Sequence, residues 1–272
     1  MASAPCVSVR HLLRITQQLF VYYQKCLFFT IAYYPSQSTS PMADITYHNY
    51  INDASREDAE AYHATFQACK GGLTPQQIAD YYSQWGASGK YDIHLGTCRY
   101  LGPMQAARAI GAYFVTNREN VRILDVAAGT GKVGQELHDL GFRSLDALDP
   151  SEGMLKKANE RGVYTRTFQI FFELNLPIPD DSYDCLVVVG GMGEGHLPLE
   201  SLYEMIRLVK PGGLVCIAMR EEYLQYVEAY KDKLQPLMER LEREGKWYLY
   251  KKESVPNYAF GKDGIIFQYV IQ

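Results

Sequence analysis

The sequence predicts an α/β protein built on a mostly parallel sheet with helices on both faces. Three observations carry this prediction: short apolar runs alternate with helical segments from about residue 120, a glycine-rich turn follows the first run, and two apolar segments without an intervening helix follow near residues 246–271. Alternation of strands and helices is typical of right-handed βαβ units. The carboxyl ends of such strands share one sheet edge, where ligands bind at the point at which the strand order reverses.

Helices are predicted before the sheet. In TPQQIADYYSQWG, residues 74–86, Thr74 and Pro75 form a helix start, apolar residues recur near helical spacing, and Gly86 provides a stop. A second helix is expected to begin at Pro103, in PMQAARAIGAYFV.

The alternating region predicts strands, helices and a closing antiparallel pair. Strands are expected at 121–126, 144–148, about 167–172, 185–189 and 214–219, and helices at about 131–140, 152–161 and 198–209. A long helix over roughly 221–244 is expected next. The segments KWYLYKKESV and GIIFQYVI should then pair antiparallel at one sheet edge, because no helix separates them.

The 272 residues, 47% of them apolar, are compatible with one large domain carrying extensions. We expect this domain at 42–272, with a helical cap over about 42–118 and the sheet over about 119–272. Residues 1–41 are expected to form a tail of uncertain structure. Its aromatic run LFVYYQKCLFFTIAYY contains Gln24 and Lys25 and is shorter than the roughly 20 apolar residues of a membrane span, so stable membrane anchoring is not expected.

Charge and cysteine usage restrict the class of protein. The chain has 27 basic and 31 acidic residues and no dense Lys/Arg block, so nucleic acid is not an expected partner. The six cysteines form no C-x-x-C pair, and Cys185 and Cys216 lie in apolar strand-like runs. This favours buried free thiols in a reducing compartment, cytoplasmic or nuclear. No cluster with metal-ligand spacing is present, so no metal is expected; the sequence leaves the oligomeric state open.

The glycine-rich segment LDVAAGTGKVG, residues 124–134, predicts a nucleoside cofactor. Gly129, Gly131 and Gly134 have G-x-G-x-x-G spacing, which lets a ligand approach the main chain before a helix N-terminus. Asp149 ends the predicted second strand, where a carboxylate can accept hydrogen bonds from both hydroxyls of a ribose. These features suit either a dinucleotide or another nucleoside.

Asp125 favours a cofactor other than a dinucleotide. A carboxylate at the end of the first strand would repel a pyrophosphate, but it can hold an ammonium group or bond the loop amides. The segment LVKPGGLVCIAM also places a Pro-Gly-Gly turn between a helix ending at Lys210 and an apolar strand, as in a central crossover. Two alternatives stay open: an NAD(P)-dependent oxidoreductase, for which no hydride-site pair is found, and a cofactor-binding interaction protein without turnover.

Four segments resemble the class I S-adenosylmethionine-dependent methyltransferases, in order and at their usual separations. They are ILDVAAGTGKVGQEL, LDALDPSEGMLKKA, DDSYDCLVVVGG and LVKPGGLV, and the resemblance covers roughly residues 75–272. Within this class, GTGKVGQELHDLGF and GMLKKANERGVY are most similar to the methyltransferase-like group of the Williams–Beuren syndrome region. The resemblance implies a Rossmann-like seven-stranded sheet with an antiparallel last strand, and S-adenosylmethionine as the cofactor.

The resemblance also implies cofactor-binding residues in the first two motifs. Asp125, Ala127, Gly129 and Gly131 match the motif that faces the methionine part of the cofactor, and Asp149 matches the acid that binds the ribose. Many members of the class have glycine where this chain has Ala127.

Further cofactor contacts are implied outside those motifs. Gly190 and Gly191 match the loop beneath the methionine carboxylate and the sulfonium, and Tyr91 begins a Tyr-Asp pair that resembles one capping the cofactor in related enzymes. The acid that usually contacts adenine is replaced by Phe172, with Glu173 beside it. We therefore expect adenine recognition by main chain and stacking.

His196 is the candidate catalytic residue. It lies with Glu194 in GGMGEGHLP after the fourth strand, where it could take a proton from an acceptor or cap the following helix. The Asn/Asp-Pro-Pro-aromatic segment that grips a planar amino nitrogen in related enzymes is absent after this strand. We therefore expect methyl transfer to an O, N or S nucleophile of a small molecule.

Overall fold

The computed structural model describes residues 47–52 and 54–272, so the predicted tail over 1–41 lies outside the described residues and the boundary at 42 stays a prediction. Residues 47–52 are helical. The helices that follow are α1 (Arg56–Ala68), α2 (Pro75–Ala87), α3 (Lys90–His94), α4 (Gly102–Tyr113), α5 (Lys132–Asp139), α6 (Glu152–Glu160), α7 (Ser201–Leu208), α8 (Tyr223–Tyr226) and α9 (Leu234–Arg243). The strands are β1 (Arg122–Val126), β2 (Ser144–Leu148), β3 (Arg166–Phe168), β4 (Tyr183–Val189), β5 (Val209–Arg220), β6 (Trp247–Ala259) and β7 (Lys262–Ile271).

The strands form one seven-stranded sheet in the order β3-β2-β1-β4-β5-β7-β6. Strands β1 to β5 pair in parallel, whereas β7 is antiparallel to both β5 and β6. The predicted mostly parallel, Rossmann-like sheet with an antiparallel last strand is confirmed. Because the strand order reverses between β1 and β4, the loops that follow these two strands border the crevice at the carboxyl edge. In the part of the chain that the structure describes, no helix is long and apolar enough to cross a membrane.

The central strands are buried on both faces, as their continuous apolar character predicts. Leu124 and Val126 of β1 pack on one face with Met205 of α7 and Met238 of α9. Ile123 belongs to the core of the opposite face, because successive strand residues point to opposite sides. Two layers of helices therefore hold the carboxyl edge of the sheet in a fixed position.

Helix α2 begins as the sequence predicts and packs closely on α6. The Thr74 hydroxyl accepts a hydrogen bond from the Gln77 amide, and the Gln77 side chain accepts one from the Thr74 amide, which forms a capping box. On α6, a Cβ atom added to Gly153 would lie 2.0 Å from the main-chain oxygen of Ser83. The Gly153 amide also donates to the Ser83 hydroxyl at 2.9 Å, so a glycine is needed for this contact between cap and sheet domain.

The prediction of one long helix over 221–244 is wrong, because the chain forms two helices there, α8 and α9, with a break between them. Pro236 has no amide hydrogen and fits only the first turn of a helix, which is where it lies in α9. In the break, Tyr230 turns into the core, donates its hydroxyl to the Leu197 oxygen at 2.6 Å and accepts from the Gly193 amide at 3.1 Å. The break therefore supports the loop that follows β4.

The helix expected to end at Lys210 ends at Leu208, and β5 already begins at Val209. Val209 pairs with Tyr183 and Leu214 pairs with Cys185, so the Lys-Pro-Gly-Gly segment forms an irregular bulge within the strand pair rather than a separate turn.

Glu204 of α7 fixes the segment that leads from β3 to β4. Its side chain is 2% exposed and accepts hydrogen bonds from the amides of Asn175 and Leu176, at 3.1 and 3.0 Å, and from the Arg207 guanidinium. Burial raises the pKa of Glu204, but the hydrogen bonds from Arg207 and the two amides outweigh it and hold the pKa below its usual value. This buried carboxylate is therefore ionised and fully paired.

Asp125 of β1 supports the glycine-rich loop through Tyr164. It is 2% exposed, and its Oδ2 accepts the Tyr164 hydroxyl at 2.6 Å. The same hydroxyl accepts the Gly134 amide at 3.1 Å in the first turn of α5. Burial raises the pKa of Asp125 to about 7, although the Tyr164 hydrogen bond lowers it. A chain of two hydrogen bonds thus connects the sheet to the helix that begins at the loop.

Substitution of Glu204 by alanine should lower the free energy of unfolding by about 3–5 kcal/mol, because it removes one partner of a buried charged network. The measurement is equilibrium unfolding in urea. Glu239→Ala, at an exposed position of α9, is the matched control and should change the free energy by less than about 0.5 kcal/mol. Equal effects of the two substitutions would contradict the proposed support of the β3–β4 segment.

Substitution of Asp125 by asparagine should change how stability depends on pH. The pKa in the folded state lies above the unfolded value of about 3.9, so folding becomes less favourable as pH rises from about 4 to about 7. Asparagine does not titrate, so the free energy of unfolding of the variant does not carry this pH dependence. At 1.36 kcal/mol per pKa unit, the free energy of unfolding of Asp125→Asn should rise relative to that of wild type by roughly 2–3 kcal/mol between pH 5 and pH 8. Unfolding curves at both pH values measure this growth. A difference between Asp125→Asn and wild type that stays constant between the two pH values would show that Asp125 ionises normally.

Candidate functional site

A cavity of about 260 Å³ lies at the carboxyl edge of the sheet. Its walls come from the loops after β1, β2 and β4, from the end of β5, from the cap helices and from the turn between β6 and β7. The loops after β1, β2 and β4 contribute main chain and the Asp149 carboxylate, and the segment after β3 contributes Phe172 and Glu173. The cap and the β6–β7 turn contribute mostly apolar and aromatic side chains. The cavity therefore has two chemically different walls.

Bare main chain forms the first wall. Ala127 and Gly129 follow β1 with φ values of +55° and +54°, and Gly190 and Gly191 follow β4. A Cβ atom added to Gly190 would lie 2.5 Å from the Tyr100 hydroxyl, so this position requires glycine. Ala127 adopts the left-handed conformation that favours glycine, which accounts for the glycine expected there.

The carboxylate of Asp149 lies between these loops. It is 6% exposed, its Oδ2 accepts the Gly129 amide at 2.9 Å, and its Oδ1 accepts the Ser151 amide at 2.8 Å. Burial raises the pKa of Asp149, while the two amide hydrogen bonds lower it in part. Each carboxylate oxygen has about two acceptor positions, so the hydrogen bonds from Gly129 and Ser151 leave acceptor capacity for a ligand in the cavity.

Helix α3 covers the glycine-rich loop. Asp92 accepts hydrogen bonds from the Thr130 hydroxyl and the Lys132 ammonium group, both at 2.8 Å. A Cβ atom at Gly129 would lie 3.6 Å from the Tyr91 hydroxyl, and Tyr91 lines the cavity. Asp92 thus holds Tyr91 over the loop.

The structure brings together most of the residues that the sequence predicts for the site. Those that line the cavity are Tyr91, Ala127, Gly129, Asp149, Phe172, Glu173, Gly190, Gly191 and His196. Asp125 and Gly131 lie behind the loop instead. A Cβ atom at Gly131 would lie 2.9 Å from the Tyr164 ring and 3.2 Å from Ala158, so Gly131 allows α6 to pack against the loop.

His196 is held at both ring nitrogens. Its Nδ1 lies 2.7 Å from the main-chain oxygen of Glu194, and its Nε2 lies 3.0 Å from the Tyr82 hydroxyl. Because a carbonyl only accepts hydrogen bonds, Nδ1 carries the proton and Nε2 accepts from Tyr82. Burial lowers the pKa of His196, which keeps the ring neutral near pH 7.

The second wall contains residues that the sequence analysis missed. Arg220 ends β5, is 6% exposed and lines the cavity with Cys69, Tyr223 and Tyr258. The sequence did contain a signal for Arg220, because this arginine directly follows the apolar run LVCIAM. A charged residue at the carboxyl end of a parallel strand lies at the sheet edge where ligands bind. Among the described residues, no group of three or more His, Cys, Asp or Glu side chains could hold a metal ion.

Comparison with known proteins identifies the family. Residues 123–213 match the family described as a methyltransferase domain. The chain is 35% identical to human methyltransferase-like protein 27 over 174 residues. The matched stretch covers 63% of this chain and 68% of that protein. It is also 38% identical over 97 residues to the demethylmenaquinone methyltransferase of Renibacterium salmoninarum, covering 36% of this chain and 40% of that enzyme.

A solved structure has the same fold. This structure is a complex of a Haloferax volcanii methyltransferase with the methyltransferase activator Trm112. The two chains match with a TM-score of 0.54 and 17% sequence identity, and the match covers 71% of this chain and 98% of that chain. At this identity the match shows the fold alone. The human relative and the matched domain establish that this chain belongs to the S-adenosylmethionine-dependent methyltransferases and is an enzyme of that class.

Proposed function

We propose that the enzyme binds S-adenosylmethionine along the first wall of the cavity and transfers its methyl group to a small molecule held against the second wall. The observation that carries this proposal is the Asp149 carboxylate, which two loop amides orient beside the bare main chain of Gly129 and Gly190. A nucleoside needs an acceptor for its ribose hydroxyls and a surface without side chains beside it. The observed donor and acceptor set fits that requirement.

The predicted cofactor residues divide into contacts and supports. Asp149 would accept from the ribose hydroxyls, Phe172 and Glu173 would contact the adenine, and Tyr91 covers the glycine-rich loop. Ala127, Gly129, Gly190 and Gly191 provide the main-chain surface for the methionine part. Asp125 and Gly131 act from behind this surface, through Tyr164 and through the packing of α6.

Because the cofactor carries the reactive methyl group, the protein mainly has to align the two reactants and to provide one proton acceptor. When bound, S-adenosylmethionine supplies a methyl carbon on a sulfonium. The two walls would hold this carbon against the lone pair of the acceptor, so that the new bond could form while the electron pair of the carbon–sulfur bond stays on sulfur. If the nucleophile starts protonated, it gives its proton to the Tyr82 oxygen while the Tyr82 hydroxyl proton moves to Nε2 of His196.

A small acceptor is favoured by the shape and charge of the site. The cavity is about 260 Å³ in volume and is lined by aromatic side chains, and the full sequence carries a net charge of −4 without a dense basic block. The Renibacterium salmoninarum relative is named for demethylmenaquinone, which is a small molecule. We infer that nucleic acid is not the acceptor.

Substitution of Asp149 by alanine should weaken binding of S-adenosylmethionine and S-adenosylhomocysteine at least tenfold. Two hydrogen bonds to a charged group contribute about 1.5–3 kcal/mol each, and tenfold corresponds to about 1.4 kcal/mol. Calorimetric titration of the folded variant measures the affinity, with NAD as a ligand that should give no binding heat. Asp80→Ala, exposed on α2, is the control. Affinity within twofold of wild type in Asp149→Ala would show that this carboxylate does not hold the ribose.

The ring of His196 should be neutral at pH 7, with its proton on Nδ1. Nitrogen-15 NMR distinguishes the two ring nitrogens, and the signals can be assigned by their loss in His196→Gln. Because burial lowers the pKa, titration should occur below the reference value of about 6.5. A ring that carries two protons at pH 7 would remove His196 as the proton acceptor.

A further inference from the structure

Arg220 is a buried cation whose hydrogen-bonding capacity is largely unused. Its Nη1 lies 3.4 Å from the Tyr62 hydroxyl and 3.5 Å from Oε1 of Glu222. Both distances exceed the about 2.7–3.2 Å of a well-formed N–H···O hydrogen bond. These are the hydrogen bonds that Arg220 makes to the described residues, although a guanidinium has five N–H donors. Most of its donors are therefore available to a ligand in the cavity it lines.

The charge of Arg220 is also incompletely neutralised. Among the residues that the structure describes, Glu222 is the carboxylate within ion-pair distance of Arg220. Its Oε2 lies 3.9 Å from the ammonium group of Lys262, so the two cations share one acid. The guanidinium carbon lies 5.3–5.7 Å from the ring centres of Tyr62, Tyr223 and Phe260. Aromatic contacts stabilise a cation only in part, and a buried charge without a full partner is costly.

The surroundings of Arg220 differ from those of the cofactor wall. Arg220 ends β5 and contacts side chains of α1, α8 and the β6–β7 turn. The main chain proposed to face the methionine part follows β1 and β4, and at Gly190 the nearest side chains are Tyr100 and Tyr258. An anion at Arg220 therefore lies on the wall assigned to the acceptor.

We propose that Arg220 binds a carboxylate of the methyl acceptor, and that the acceptor is a small acid with a planar apolar body. The planar fork of a guanidinium matches a carboxylate with two parallel hydrogen bonds. The aromatic rings of Tyr82, Tyr100, Tyr223 and Phe260 line the cavity and can pack on a planar body. This inference rests on the proposed function, because it names the acceptor class for the same site.

The test is a comparison of acids with their uncharged amides on the full chain saturated with S-adenosylhomocysteine. The probes are 4-hydroxybenzoate, 4-hydroxyphenylacetate and indole-3-acetate, each paired with its primary amide, and the measurement is ligand-observed NMR titration at pH 7.5. At least one acid should bind tenfold or more tightly than its amide. Equal binding within every pair, or no binding by any acid, would overturn the proposal.

Variants locate the effect. Arg220→Gln should abolish the preference for acid over amide while its affinity for S-adenosylhomocysteine stays within about twofold of wild type, and Arg220→Lys should keep part of the preference. Arg108→Gln, at an exposed position of α4, should keep all of it. If Arg220→Gln does not fold, the acid and amide pairs on the wild-type chain still decide the proposal.

Two other outcomes are distinguishable from success. If Arg220→Gln weakens S-adenosylhomocysteine tenfold or more, the arginine holds the carboxylate of the cofactor and the acceptor proposal is wrong. Failure of the proposed function itself has a different signature, because the wild-type chain would then show no affinity for S-adenosylhomocysteine before any acid is added.

Discussion

The site depends on the double hydrogen bond that the Asp149 carboxylate accepts from the main chain. One bond reaches Gly129 after β1 and the other reaches Ser151 at the start of α6. The register of the parallel pair β1–β2, in which Val126 lies beside Leu148, brings these groups into range. Helix α6 then meets α2 at the contact between Gly153 and Ser83. One carboxylate thus connects the sheet, the glycine-rich loop and the cap.

The second wall depends on contacts between distant parts of the chain. The Leu101 amide donates to the Tyr258 oxygen at 2.9 Å, and the Phe260 amide donates to the Arg99 oxygen at 2.7 Å. These bonds attach the β6–β7 turn to the segment between α3 and α4. The Tyr258 hydroxyl donates to the oxygen of Ala218 in β5 and lies 3.5 Å from the Tyr100 hydroxyl. The wall that carries Arg220 is therefore assembled from the cap, β5 and the last two strands.

Sequence reasoning recovers those parts of the structure in which local pattern and packing agree. The apolar runs predict the parallel strands, and glycine spacing and strand position predict Gly129 and Asp149. The resemblance to the methyltransferases, rather than spacing, implied Ala127, Gly190 and Gly191. The single helix over 221–244 was predicted wrongly because Pro236 was not taken as a break. Proline lacks an amide hydrogen and fits only the first turn of a helix, so a new helix has to begin just before it. Arg220 was missed because its burial depends on Tyr62 and Phe260, which are remote in sequence. The position of Asp125 behind the loop likewise depends on Tyr164.

Tyr100 and Tyr258 are 158 residues apart in the sequence, so the two sides of their contact are synthesised at different times. A ribosome releases the strands and loops of the first wall well before it releases the β6–β7 turn. Long-range contacts also form late because closing a long loop is entropically costly. The nascent chain can therefore form the first wall of the cavity while the second wall is still incomplete, and the later β6–β7 turn then supplies Tyr258 and Phe260 to that second wall.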